Sequence, residues 1–347
     1  MYEHMNNSHN LLSRYKTVLL LTLIIALVAC KPKSEYKLDY KLLNSLGSKY
    51  RMAHEKAIRD LTDQLKQDST NLEAWIAKGE LEIILFAYGY TPRKETIPIA
   101  KECLKQAQQI NPDNTKTLEL SGMLHLLDWD WEPSRRDLRA SIAADSTNLN
   151  ARHWYSLWLV TQGRIEEALI QHDTIQGMDV NENYLIGRGS IYYFLRDNER
   201  LKDLMIYTAD KDPGAPWAYD WLGMAYIEMN DYERSLDTYF KAFELSDGLV
   251  EIGAGLGHAL GEAGETKLAG EMADFYEEKA KTAYLPQMQR AFIHISIGEN
   301  DKAIALLQEA YKQKSWFLTF MAVEPWLDPL RDDPRFRELK AMMKYTQ

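Results

Sequence analysis

The chain has 347 residues, 46% of them apolar and 27% charged, with a formal charge of −10. That composition is ordinary for a folded protein and excludes global disorder, while the acidic balance disfavours wholesale binding to nucleic acid or anionic lipid, both of which need basic patches. Two cysteines, Cys30 and Cys103, exclude a disulfide framework and any Cys-x-x-Cys pair.

The first predicted element is an address. Arg14 and Lys16 precede TVLLLTLIIALVAC, an uncharged run too short to span the roughly 30 Å of bilayer hydrocarbon as a helix. A charged start, a short apolar run and small residues before a break predict a secretory signal peptide over 1–29. Leu27-Val28-Ala29-Cys30 resembles the bacterial lipobox, in which the cysteine thiol receives diacylglycerol before cleavage. The resemblance implies lipidation at Cys30 and a place in the bacterial cell envelope. Lys31 rather than aspartate after the cysteine favours the outer membrane, by analogy with enteric lipoproteins. Several acyl chains, at roughly 0.8 kcal/mol per buried CH₂, hold a protein stably at a membrane. Residues 30–37 then read as a lipidated tether.

Residues 38–70 predict a degenerate first repeat, with Ala57, Leu61 and Leu65 on one helical stripe. From 71 to 315 the chain repeats itself. Gly122, Ser156, Gly189, Gly223, Gly257 and Ala291 are spaced 34, 33, 34, 34 and 34 residues apart. A second column, Ser134, Ala168, Leu201, Ser235, Ala269 and Ala303, follows twelve residues after the first with the same spacings. A period of 34 is the tetratricopeptide (TPR) signature. It predicts an all-α, right-handed solenoid of helix-turn-helix repeats, in which neighbours bury the faces that no pair can bury alone. In WLGMAYIEMNDYERSLDTYFKAFEL (221–245), Gly223 and Ser235 allow close helix approach, Tyr226 and Tyr239 fill the space between, and Asn230-Asp231 marks the turn. Residues 316–347 break the period. Their prolines bracket short turns before an amphipathic helix of Phe336, Leu339, Met342 and Met343, expected to cap the end of the stack.

LDWDWEP, within 124–137, offers three alternating carboxylates. A calcium loop starting at Asp128 would need Gly and Glu where Pro133 and Arg139 stand. The period makes this stretch the turn between two helices of one repeat, with Glu132 and Pro133 in the first turn of the second helix. Trp129 and Trp131 are expected to wedge the hairpin against adjoining repeats. FAYGYTPRKETIPIAKECLKQAQQINPDN, which carries an insertion of about nine residues, then LDWDWEPSRRDLRASI, ARHWYSLWLVTQGRIEEAL and WLDPLRDDPRF follow in that order. Over residues 71–344 they resemble the repeat array at the C-terminus of bacterial signalling regulators, where it follows a winged-helix, adenylate-cyclase-type or kinase domain. The resemblance implies a sensory or protein-docking module. The residues ahead of position 38 leave no room for such an output domain, so any signal is expected to pass through a partner.

No enzymatic constellation stands out. There is no phosphate-cradling G-x-x-x-x-G-K-[ST], no G-x-S-x-G and no H-E-x-x-H. GAGLGHALGEAG (253–264) falls within a repeat helix and reads as close packing. The expectation is a non-enzymatic protein without cofactor or metal. In tetratricopeptide proteins, positions 2, 5, 9, 12 and 13 of the first helix line the concave groove. Carried over residue by residue, these are Asn150 and His153, then Asn183, Ser190, Tyr193 and Phe194, then Trp217, Asp220, Met224 and Glu228, then Glu251, His258 and Glu262. Each aromatic can equally belong to the core between repeats. The mixture suits a basic or apolar protein or peptide segment, anchored by aromatics. The lysine and asparagine set that clamps a peptide carboxylate in chaperone-docking relatives is absent. Two functions follow: an envelope scaffold that binds a protein or peptide in its groove, or a ligand sensor that reports to a partner.

Overall fold

The computed structural model describes residues 36–45, 47–174 and 182–346; the side chains of residues 182 and 183 also fall outside it. The expected signal peptide, Cys30 and the side chain of Asn183 therefore lie outside the described residues. Residues 39–347 cluster as one unit, and it is helical throughout, with no strand among the described residues.

Among the described residues, two helices, α1 (Tyr40–Ser45) and α2 (Ser48–Gln67), precede seven helix pairs. In order these are α3 (Leu72–Ala87) with α4 (Arg93–Ile110), α5 (Thr115–Leu127) with α6 (Trp131–Ala144), and α7 (Leu149–Thr161) with α8 (Ile165–Asp173). Next come α9 (Glu182–Phe194) with α10 (Asn198–Lys211) and α11 (Pro216–Glu228) with α12 (Tyr232–Leu245). The last pairs are α13 (Val250–Glu262) with α14 (Thr266–Lys279) and α15 (Gln287–Ser296) with α16 (Asn300–Lys312). Two 3₁₀ turns, Phe317–Phe320 and Pro325–Leu330, lead to α17 (Pro334–Met342). The α3–α4 pair spans 72–110, 39 residues, against 30 for α5–α6 at 115–144, so the predicted nine-residue insertion lengthens both helices and their loop.

Local chemistry sets each hairpin. Asn71, Asn114 and Asn148 cap the first helices of their pairs by accepting backbone N–H bonds with their side chains. Seven residues after the first small-residue column, the chain turns left-handed in every copy: Trp129, Gly163, Arg196, Asn230, Gly264 and Gly298 have φ of 58–79°. The N–H of the following residue then reaches back five positions, at 2.8–2.9 Å, as in Asp231 to Tyr226 O. This closes each first helix with a Schellman-type cap. The second column is fully buried at all six positions. There Ser134 Oγ donates to Gly122 O (2.8 Å) and Ser235 Oγ to Gly223 O (3.0 Å), which joins the two helices of a pair. Gly223 is required by sterics, because a Cβ there would sit 2.6 Å from the Tyr239 ring.

The coil also contacts itself over long sequence separations. Gly47 N–H donates to Asp247 O (2.9 Å), Tyr50 OH to Leu245 O (3.3 Å) and Tyr40 OH to Glu271 Oε2 (3.3 Å). Thus α1 and the start of α2 dock on the α12–α13 turn and on α14. Residues 38–70 form this short helix and one long one, with α2 packed on α3. Tyr88, at the end of α3, stacks on Trp217 at the start of α11 with centroids 5.1 Å apart.

The C-terminal segment does more than the expected capping. α17 does pack on α16, with Phe336, Leu339 and Met343 buried, but Met342 faces solvent at 43% exposure. The segment before it crosses the concave face. Trp316 meets Trp154 of α7, Phe320 stacks on Phe194 of α9 at 5.3 Å, and Trp326 stacks on His258 of α13 at 4.1 Å. Trp129 and Trp131 contact this end of the chain as well. Trp129 lies against Tyr311, and its Nε1 is 3.3 Å from Thr319 Oγ1. Trp131 stacks on Tyr345 and donates to Met343 O (3.2 Å).

Candidate functional site

Where the first helices of the pairs face inward, the C-terminal segment roofs a cavity of about 450 Å³. Its lining comes from α3, α5, α7, α9, α11, α13 and α15, with Trp316, Phe320, Glu324 and Trp326 as the roof. Trp154, Trp217, Trp221 and Trp316 remain part-exposed there. Four carboxyl groups line it, those of Glu80, Asp220, Glu251 and Glu324, and among the described residues no lysine or arginine does.

These carboxyls are poorly satisfied. Asp220 is 4% exposed and makes no hydrogen bond or salt bridge to a described residue. Oxygens of Glu80 and Glu251 are buried without partners, as is Gln289 Oε1. Glu324 fares better, accepting from Tyr193 OH and from Trp326 N–H (3.2 Å). Burial pushes the Asp220 and Glu324 carboxyls up to about 7. Burial together with the neighbouring Glu119 does the same to Glu80, and burial with Asp220 nearby pushes Glu251 well up. Desolvation of the charged form is the dominant cause in each. His153, also at the cavity, is held neutral: burial lowers it to about 4, and its Nδ1 has no partner.

Of the residues expected in a groove, Asn150, His153, Ser190, Phe194, Trp217, Asp220, Met224 and Glu251 line this cavity. Asn150 is engaged with Glu119, and Ser190 Oγ donates to Gly187 O (2.7 Å). Tyr193 and His258 do not stand open: both are buried beneath the roof, on Glu324 and Trp326 respectively. Glu228 and Glu262 lie at the ends of α11 and α13, outside the lining. The concave face is therefore a roofed cavity instead of the open groove expected, because a 3₁₀-rich segment with two tryptophans fills its mouth.

No protein-family model matches the chain. Tetratricopeptide repeat protein 37 of Xenopus laevis is 25% identical over 236 residues, which are 61% of this chain and 14% of that protein. A chain of the crystal structure of the APC/C hetero-tetramer Cut9–Hcn1 superposes with a TM-score of 0.55 at 14% identity, over 88% of this chain and 54% of that one. Human IFIT1, solved as a dimer with m7Gppp-AAAA, gives 0.57 at 14% identity, over 82% of this chain and 69% of that one. The fold is a tetratricopeptide-repeat solenoid.

Within this TPR array, sequence reasoning missed Glu80, Glu324, Trp154, Trp221, Trp316 and Trp326. One signal was available for Glu80: it interrupts the apolar helix LEAWIAKGELEIILFA. A second concavity of about 1210 Å³ lies at the α3–α4 loop and residues 280–287, lined by Arg51, Arg93, Lys94, Lys101, Arg290 and Lys314 among others. Its charges are largely matched. Arg93 and Lys101 both engage Asp128, Arg290 pairs with Glu277, and Lys314 Nζ donates to Asp128 O (2.9 Å).

Proposed function

We propose that this chain is a non-enzymatic TPR module of the bacterial cell envelope, anchored by lipid at Cys30 with the outer membrane favoured. Its interior takes up a small ligand, and its outer surface passes that state to a protein partner. The single observation behind the sensing role is the roofed cavity: a peptide running along the concave face would first have to displace Trp316 and Trp326. The fold itself suits protein interaction scaffolds, and its use in the Cut9–Hcn1 hetero-tetramer and in IFIT1 with m7Gppp-AAAA spans protein and capped-oligonucleotide partners. A phosphate-bearing ligand like the latter does not suit a cavity lined by four carboxyls.

A thermal-shift screen of the full-length protein in detergent, against fractionated metabolites, tests the ligand reading. A true ligand at a hundredfold excess over its Kd adds about 2.7 kcal/mol of stability. If no fraction shifts the melting point while a pull-down from solubilised envelope captures a protein through the concave face, the scaffold reading takes its place. Labelling with a radioactive fatty acid tests the anchor, and label retained in Cys30→Ser would refute it.

A further inference from the structure

We infer that the interior cavity binds a small organic cation, an ammonium carrying an apolar or aromatic body; this rests on the reading of the array as a ligand-binding module. Charge is the first argument. Four carboxyl side chains face a space that no lysine or arginine among the described residues enters. The acidic set alone would be ambiguous, and the unmet polar atoms resolve it. Asp220, 4% exposed, has no hydrogen-bond or ionic partner among the described residues. Glu80 Oε1, Glu251 Oε2 and Gln289 Oε1 are buried and unpartnered at the same cavity. Gln289 Oε1 is an acceptor, and each carboxyl keeps an acceptor oxygen when protonated and becomes charged when a bound cation displaces its proton. A buried acceptor left unpaired is unfavourable, and a buried unpaired charge more so. The occupant that relieves them must bring N–H donors, positive charge, or both.

The walls supply the second argument. Trp154, Trp217, Trp221 and Trp316 are part-exposed at the cavity, and an indole face attracts a cation electrostatically, most strongly when water is excluded. Aromatic walls with carboxyl groups among them match an alkylated ammonium, whose charge is spread over an apolar surface. Size agrees, because about 450 Å³ falls in the range of small-molecule sites, roughly 300–1,000 Å³. A bare metal ion fits less well: among the described residues no three His, Cys, Asp or Glu side chains converge with metal-ligand spacing.

The test compares three probes of one shape by titration calorimetry and tryptophan fluorescence on the full-length protein in detergent. The cation is (meta-hydroxyphenyl)trimethylammonium, the neutral isostere meta-tert-butylphenol, and the anion meta-hydroxybenzenesulfonate. The ammonium should bind saturably and about tenfold or more tighter than the tert-butyl compound, with no binding of the sulfonate. Asp220→Asn and Glu251→Gln should each weaken the ammonium about tenfold and leave the neutral probe unchanged. Both exchanges remove a carboxyl that could ionise against the cation at nearly constant shape, and helical circular dichroism confirms that each variant folds. Equal affinity for the cation and its neutral isostere overturns the cation assignment while leaving a ligand cavity in place. Failure of all three probes overturns the cation assignment, and the metabolite screen then decides the ligand reading separately.

Discussion

The acidic cavity and the basic cleft differ in how their charges are met. In the cleft, Asp128 holds Arg93 and Lys101, and Glu277 holds Arg290, so the cations have partners within the fold. In the cavity, Asp220 and Glu251 face tryptophans and one another, with no cation among the described residues. The cleft is the larger of the two, about 1210 against 450 Å³. What separates them is buried carboxyl oxygens without partners, which folding alone does not compensate.

The strongest way to break this contrast is to remove the roof. Trp326 is buried on His258 and Phe292, and Trp326→Ala should destabilise the protein by about 3–5 kcal/mol in urea unfolding. Any ligand binding should go with it.

The same substitution, aspartate to asparagine, should have opposite signs in the two regions. Asp220 keeps its proton in the folded state to about 7, against an ordinary value of 3.8. Between those values the unfolded chain has lost the proton that the folded chain still holds. Stability is therefore greatest below the lower value, falls as pH rises toward 7, and levels off above it. Glu251, its carboxylate neighbour, is shifted in the same direction, and Tyr239 beside Asp220 is pushed up and stays neutral. Asp220→Asn should thus gain about 2 kcal/mol at pH 8 and flatten the profile between pH 4 and 7, read from melting curves across pH. A loss of stability at pH 8 would mean that Asp220 is compensated after all. Asp128→Asn, by contrast, should lose about 1–2 kcal/mol, because Arg93 is left largely buried without its partner.

The smallest effect is expected at Trp129. Its left-handed backbone costs about 1 kcal/mol, which glycine would relieve, but its ring holds Tyr311 and Thr319. Trp129→Gly should change stability by less than about 1 kcal/mol. Amide exchange in residues 313–346 should nevertheless rise, and unchanged exchange there would show that the ring does not dock the segment.

The repeat was legible because each copy obeys the same local rules. The buried columns through Gly223 and Ser235, and the turns at Gly163, Asn230, Gly264 and Gly298, are written in residue type. Inward direction was legible too, since Trp217, Asp220 and Met224 face inward as helix position predicts. The roof was not. Tyr193 meets Glu324 across 131 residues, in a stretch where the period has ended and no local pattern names the partner. Trp129 was read as a wedge between neighbouring repeats because its contact with Tyr311 is likewise invisible to spacing.

One further consequence comes from Asp247, whose carbonyl accepts the Gly47 N–H while a Cβ on Gly248 would meet Leu42 O at 2.0 Å. Open solenoids behave as one-dimensional chains whose end repeats fray and can unzip in succession. Here the amino-terminal helices lean on the fifth and sixth helix pairs, and the carboxyl-terminal segment leans on the second, third, fourth and sixth. Neither terminal repeat is exposed as a starting point for unzipping. Denaturant should therefore melt the array in one step, with an m-value set by the surface of the whole unit and not by that of a single repeat.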